Sequence, residues 1–274
     1  MSERAQSSSS RFRLPQGMAL VNALFGTWSA LVMVFFYAPI VFLVVFSFND
    51  SKLNVVWEKF TLRWYAELWN STPLVNGLKA SLIVASITTV LAIILGTGAA
   101  WLLHRYRFRA ARPISTMAYL PMVVPEVIMG ISLLVFFKSI DVSLGFPTVV
   151  IAHTTFCFPF VMAAVQARLA GLDPALEEAA LDLGATPFEA FWHVIVPYLM
   201  PAIVSGALMA FALSLDELIV TFFVKSAGSQ TLPVVIFGMA KKGINPMVNA
   251  LSTLFILFTV LLLLLSEWVK KARA

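Results

Sequence analysis

Three acidic residues sit inside apolar runs of this 274-residue chain, and they are the side chains best able to do chemistry. Asp216 and Glu217 lie in ALSLDELIVTFF, and Glu126 follows Pro125 in PMVVPEVIMG. A carboxylate at the centre of a bilayer costs about 2.5–3.5 kcal/mol even on the lenient insertion scale, so each needs compensation. No basic residue lies in the central parts of these runs. Lys79, Lys138 and Lys225 fall at run ends, where their heads can snorkel to the interface. The counter-charge must come from water, another subunit or a cationic solute. Separated carboxylates with apolar surface between them suit a solute that carries two or more ammonium groups. Neighbours on a helix point about 100° apart, so Asp216 and Glu217 cannot both face one narrow site. Asp216 is expected to face the pathway, with Ser214 as a nearby hydroxyl. Pro121 and Pro125 should disturb the third run and free backbone carbonyls near Glu126. The alternative is structural: the acids bond to backbone, water or a second subunit and hold a helix break in place.

The other reactive residue types are sparse. His153, in AHTTFCFPF, reads as a packing or network histidine. Cys157 is the single cysteine, which excludes an intrachain disulfide and fits a small buried apolar role. No His/Cys/acid cluster has metal-ligand spacing. Neither a GxxxxGK[ST] phosphate loop nor a GxSxG elbow occurs. No metal and no cofactor is expected, and the chain itself should neither bind ATP nor catalyse a covalent reaction.

The elements that position these residues are membrane helices. Hydrophobic residues make up 60% of the chain and charged residues 12%, against about 45–50% and 25% in soluble domains. Such an excess cannot be hidden in one core of this size, so lipid is the solvent. Runs long enough to cross a bilayer, about 20 residues as helix, occur near 27–48, 79–103, 115–137, 147–167, 194–224 and 247–268. The expectation is an all-α membrane protein with six transmembrane helices, the fifth run being too long for one simple span. Residues 1–26 form an N-terminal tail, 27–268 the six-span domain and 269–274 a C-terminal tail. No cleavable signal peptide and no internal repeat are evident.

The net charge of +5 belongs to loops obeying the positive-inside rule rather than to nucleic-acid binding. Arg4, Arg11, Arg13, Arg105, Arg107, Arg109, Arg112, Arg168, Lys270, Lys271 and Arg273 all fall on one side of a six-span topology. Both termini are therefore expected in the cytoplasm. On the other side, residues 47–78 carry Trp57, Trp64, Tyr65 and Trp69 among charged residues. Such aromatics commonly form an interfacial belt. The alternative is that Trp64 lines the outer mouth of a cation pathway, since aromatic faces attract a desolvated ammonium by about 2 kcal/mol or more.

Between two apolar runs lies a polar knuckle, DPALEEAALDLGATPFEAFWHVIVP, from Asp173 to Pro197. Asp173 is a good N-cap and Pro174 suits the first helical position. Glu177 and Glu178 stand where the helix dipole favours acids. Gly184 can stop the helix in a left-handed conformation. Thr186, Pro187 and Glu189 then open a second helix through a capping box. The segment reads as helix, glycine turn, helix.

Glu178-Ala179-Ala180, three residues, Gly184, nine residues, then Val194-x-Val196-Pro197 resembles the EAA loop of ABC importer permeases. The family has Ile and Leu where Val194 and Val196 stand, a mild aliphatic departure. The likeness runs from the first span to the last and includes Gly77-Leu78-Lys79-Ala80-Ser81, Leu213-Ser214-Leu215-Asp216-Glu217, Thr231-Leu232-Pro233 and Asn245-Pro246. Asn49-Asp50-Ser51 with Arg63-Trp64-Tyr65 further resembles the putrescine and spermidine importers.

The resemblance implies a type I, MetI-like permease in a bacterial inner membrane. It implies a cytoplasmic coupling loop over 169–193 that fits a groove on a dimer of ATP-binding ABC subunits. Glu178 would make polar contacts there, while Ala179, Ala180, Leu183, Gly184 and Pro197 shape the joint. Partners would be a second, different permease chain and an external solute-binding protein. In the polyamine importers the matching acids are implicated in substrate passage, here Asp216, Glu217 and Glu126, with Glu at positions often filled by Asp. Importers of iron, sulfate or other solutes share the fold. An ion-coupled secondary carrier would also use intramembrane acids but leaves the knuckle unexplained, and a membrane enzyme would need a catalytic cluster that these residues do not make.

Overall fold

The computed structural model describes residues 16–51, 56–106, 108–241, 243, 246–257 and 260, with only the backbone of 16–20. In chain order the helices are α1 (Gln16–Phe46), α2 (Arg63–Asn70), α3 (Thr72–Arg105), α4 (Ala111–Val123), α5 (Glu126–Ser139), α6 (Phe146–Leu169), α7 (Ala175–Asp182) and α8 (Pro187–Ala190). A π-helical turn at Phe191–Ile195 leads into α9 (Val196–Asp216), followed by α10 (Ile219–Val224), α11 (Leu232–Lys241) and α12 (Pro246–Leu257). Among the described residues the only strand-like pairing is an isolated bridge, Asn49 with Phe60.

Among the described residues four helical stretches are long and apolar enough to span a membrane: Val21–Phe46, α3, α6 and the continuous rod Pro187–Asp216. The pair α4–α5, bent by 111°, makes a fifth if counted as one span. The run read at 247–268 is described only as α12 and Val260; its remainder lies outside the described residues, as do Arg4, Arg11, Arg13, Arg107, Asn245 and the tail 269–274. The first helix is described from Gln16.

The chain divides into two compact units, residues 67–244 and a second drawn from 1–66 and 245–274. In the first, α6 is the central helix: 67% of its apolar window is buried, against 28% for α3 and for Pro187–Asp216. Lipid tails give apolar helices no hydrophobic reason to associate, so close packing over small residues must hold them. Gly96 of α3 and Gly206 of α9 both close on Val161 of α6. A Cβ would stand 2.8 Å from Val161 Cβ at position 96 and 3.0 Å from Val161 Cα at 206. Gly130 of α5 similarly admits Phe223 of α10. Gly77 of α3 admits the start of α11, where the Leu232 N–H donates to Ser81 Oγ at 2.8 Å.

Proline explains the irregularities only in part. Pro125 ends one helix and precedes the next, as expected, but α4 runs through Pro121 without breaking. Pro197 lacks the N–H that would close on His193, and the turn before it widens so that the Val196 N–H reaches Phe191. The long fifth run is interrupted at Glu217–Leu218, where no proline or glycine stands.

In the second unit, residues 47–65 fold back on themselves. The Trp64 Nε1–H donates to the Asn49 carbonyl at 2.8 Å. Ser47 Oγ meets Tyr65 Oη at 2.6 Å. Asp50 pairs with Lys59 at 3.2 Å and Arg63 at 2.9 Å.

Candidate functional site

The break after α9 is built by its own side chains. Glu217 turns out of the helical path, and its carboxylate accepts the Val220 N–H at 2.8 Å, capping α10. Thr221 Oγ1 donates to the Glu217 carbonyl at 3.1 Å. A local side-chain bond of this kind offers the backbone an alternative to continuing the helix. Glu217 is thereby 6% exposed, whereas Asp216, one residue earlier, stays exposed.

A cavity of about 550 Å³ opens beside this break. Glu126, Asp216 and Glu217 line it together with Phe156, Leu213 and Ile219. The packing of α5 on α10 brings in Glu126, the first residue of α5, where the positive end of the helix dipole favours its charge. Among the described residues no Lys, Arg or His lines the cavity, and neither the Glu126 nor the Asp216 carboxylate has a hydrogen-bond or ion-pair partner. Two acids thus face the cavity uncommitted, and the third has one oxygen committed to the backbone. Such a site can take cations.

Two sequence-derived candidates sit elsewhere. Ser214 is not a free hydroxyl beside the acids: it is buried, with Oγ 2.8 Å from His153 Nδ1. Trp64 is buried too, its Nε1–H used by Asn49 and its ring covered by the Arg63 guanidinium, 4.2 Å from the centroid. A cation already occupies that aromatic face, and the ring is a packed anchor of its own segment. Sequence reasoning missed Thr221, whose hydroxyl lies 2.7 Å from His153 Nε2. Its seven-residue spacing from Ser214 was the available signal.

At the other end of the Pro187–Asp216 rod, the knuckle has the anatomy that its residues dictate. Asp173 Oδ1 accepts the Ala175 N–H at 3.0 Å, the bond of an N-cap, although regular helix is assigned only from Ala175. Gly184 stands at φ +90°. The Gly184 N–H reaches the Leu181 carbonyl at 2.9 Å and the Ala185 N–H reaches Ala180 at 3.1 Å, the paired bonds of a Schellman stop. The Thr186–Glu189 capping box is complete: the Thr186 N–H donates to Glu189 Oε2 at 2.8 Å, and the Glu189 N–H donates to Thr186 Oγ1 at 3.3 Å. Arg105 at the end of α3 ties to Glu177 of α7 at 2.8 Å. Glu178 and Ala179 are exposed and Ala180 half-buried, beside Leu183 at 90% exposure and Phe188 at 71%. Apolar side chains this bare on a polar, well-capped hairpin mark an interaction surface.

Comparison with known proteins covers most of the chain. Residues 89–273 match the family described as binding-protein-dependent transport system inner membrane component. The chain is 43% identical over 247 residues to the putrescine transport system permease protein PotI of Escherichia coli K12, covering 88% of each. It is 37% identical over 246 residues to the spermidine/putrescine transport system permease protein PotC of the same organism, covering 90% of this chain and 93% of that one. In fold it resembles a chain of a bacterial ABC transporter that imports alginate (TM-score 0.72, 12% identity, 94% and 98% covered). It also resembles a chain of the inward-facing MetNI methionine transporter (TM-score 0.60, 20% identity, 76% and 97% covered).

Proposed function

The chain belongs to the binding-protein-dependent transport system inner membrane components, the permeases of ABC importers, and we propose that it forms half of a translocation path for putrescine or spermidine. The observation that carries the solute is the cavity between α5, α6 and the α9–α10 break, where Glu126 and Asp216 are acidic, uncommitted and unopposed by any basic lining residue. A polyamine supplies the missing counter-charges. Its methylenes match the apolar wall of Phe156, Leu213 and Ile219. The permease relatives named for putrescine and spermidine support the same class.

In this reading six spans enclose the path over 27–268, and both terminal segments, 1–26 and 269–274, are cytoplasmic. The loop 169–193 docks on a dimer of ABC ATPases, a second and different permease chain completes the path, and an external binding protein delivers the solute. ATP is bound and hydrolysed by the partner. The geometry suggests how force travels. Pro187–Asp216 is one helical rod, about 45 Å long at 1.5 Å per residue. The knuckle stands at one end and Asp216 at the other, so displacement of the docked knuckle moves the acid directly.

The test is uptake of labelled putrescine and spermidine by cells lacking other polyamine importers and carrying the complete transporter. Uptake of either supports the assignment. An assembled complex that carries neither overturns the solute class and leaves the permease family untouched.

A further inference from the structure

Building on the reading of Asp216 as a solute contact, we propose that His153 is a positioning residue: it clamps both sides of the α9–α10 break and so aims Asp216 into the cavity. Its Nδ1 lies 2.8 Å from Ser214 Oγ, before the break, and its Nε2 lies 2.7 Å from Thr221 Oγ1, after it. All three residues are buried, at 1%, 2% and 0% exposure. The Thr221 hydroxyl gives its one proton to the Glu217 carbonyl, so it accepts from His153 Nε2–H, and Nδ1 accepts the Ser214 hydroxyl; this one neutral tautomer satisfies the whole network.

The bonds of Glu217 and Thr221 secure the break only from within, over residues 217–221. His153 adds a fixed external reference, because it projects from α6, the most buried helix of its unit. Asp216 follows Ser214 by two residues. A one-residue slip in the last turn of α9 would swing Asp216 about 100° away. A buried, fully satisfied polar network specifies a single arrangement, whereas a phenyl ring of similar size would fill the space without specifying one.

The test uses the complete transporter in membrane vesicles, with Cys157, the chain's single cysteine, replaced by alanine and Asp216→Cys introduced. A cationic methanethiosulfonate reagent is applied, and the mass of this chain reports the labelling rate. Ser139→Cys, exposed at the far end of α5, serves as control. His153→Phe is expected to slow labelling at 216 by about tenfold while leaving position 139 unchanged. Ser214→Ala combined with Thr221→Val keeps the histidine but removes both partners, and it should slow labelling equally. Adding His153→Phe to that pair should change nothing further, because the three act as one unit. Labelling at 216 within about twofold of the parent in the paired-hydroxyl variant overturns the proposal even if His153→Phe fails to assemble. Polyamine uptake is read separately: its absence removes the solute reading, while the labelling rates still decide the role of His153.

Discussion

Arg105 Nε lies 2.8 Å from Glu177 Oε1, and this ion pair joins the end of α3 to the first helix of the knuckle. Arg105 is 42% exposed in its side chain, so the pair contributes only about 0.2–1 kcal/mol to stability. Its value lies in geometry. α3 packs along α6, so the pair ties the knuckle to that bundle. Arg105→Ala should leave expression and assembly unchanged while lowering solute-stimulated ATPase activity of the reconstituted complex about threefold, an effect that weakens in high salt. The charge exchange Arg105→Glu with Glu177→Arg should recover part of it. Unchanged stimulation in the single variant would show the pair to be idle.

Gly184 sits at φ +90° with open space where a Cβ would stand, so a substitution there fails through backbone conformation rather than collision. A left-handed L-residue costs about 1–2 kcal/mol, and asparagine tolerates it better than most. Gly184→Asn should therefore retain transport, whereas Gly184→Val should uncouple it through the backbone and Gly184→Asp by setting a charge on the docking turn, both with the chain still in the membrane. The measurement is copurification of the ATPase with each variant, followed by uptake. Normal transport by Gly184→Asp would refute docking through this turn.

Much of the knuckle was legible because its determinants are local. Asp173, Gly184, Thr186 and Glu189 each act within five residues of themselves, and each makes the bond its type and position dictate. Four membrane runs, or five with the bent α4–α5 pair counted as one, were legible for the same reason, since hydropathy is additive along a helix. The α9–α10 break was not. It depends on which way the Glu217 side chain turns and on His153, supplied from a helix some sixty positions earlier. Ser214 looked like a free hydroxyl for that reason, and Trp64 looked available because Arg63 could not be seen folding over it. Pro125 announced the interruption in the third run, but the 111° bend also needs α10 to hold α5 through Gly130 and Phe223.

The three-helix packing at Val161 sets a stability prediction. A Cβ at position 96 would stand 2.9 Å from the Met162 nitrogen and the Phe158 oxygen, which are backbone atoms that cannot swing away. Gly96→Ala should destabilise the chain by about 1–3 kcal/mol. Gly206→Ala, at 3.0 Å from Val161 Cα, should fall in the same direction. Gly98, two residues along α3, has nothing within 4 Å, so Gly98→Ala should be neutral or gain a few tenths to about 1 kcal/mol from helix propensity. Thermal unfolding of the detergent-solubilised transporter separates the three.

Neighbouring acids with opposite duties give the sharpest prediction. Asp216 offers an uncommitted carboxylate to the cavity, and Glu217 spends one oxygen on the Val220 N–H. Glu217→Gln keeps a carbonyl oxygen that can accept that same bond, so the break survives. Asp216→Asn removes a charge that only a cation can satisfy. Asp216→Asn is therefore expected to raise the KM for polyamine uptake by about tenfold or more, equivalent to a loss of about 1.4 kcal/mol, with Glu217→Gln within about threefold of the parent. Glu217→Ala discards the cap and should cost about 1 kcal/mol of stability, lowering assembly rather than apparent affinity. The reverse pattern, with Glu217→Gln impairing uptake and Asp216→Asn silent, would hand the solute contact to the buried acid. That contact would fall to Glu217 Oε2, since Oε1 is held by the Val220 N–H.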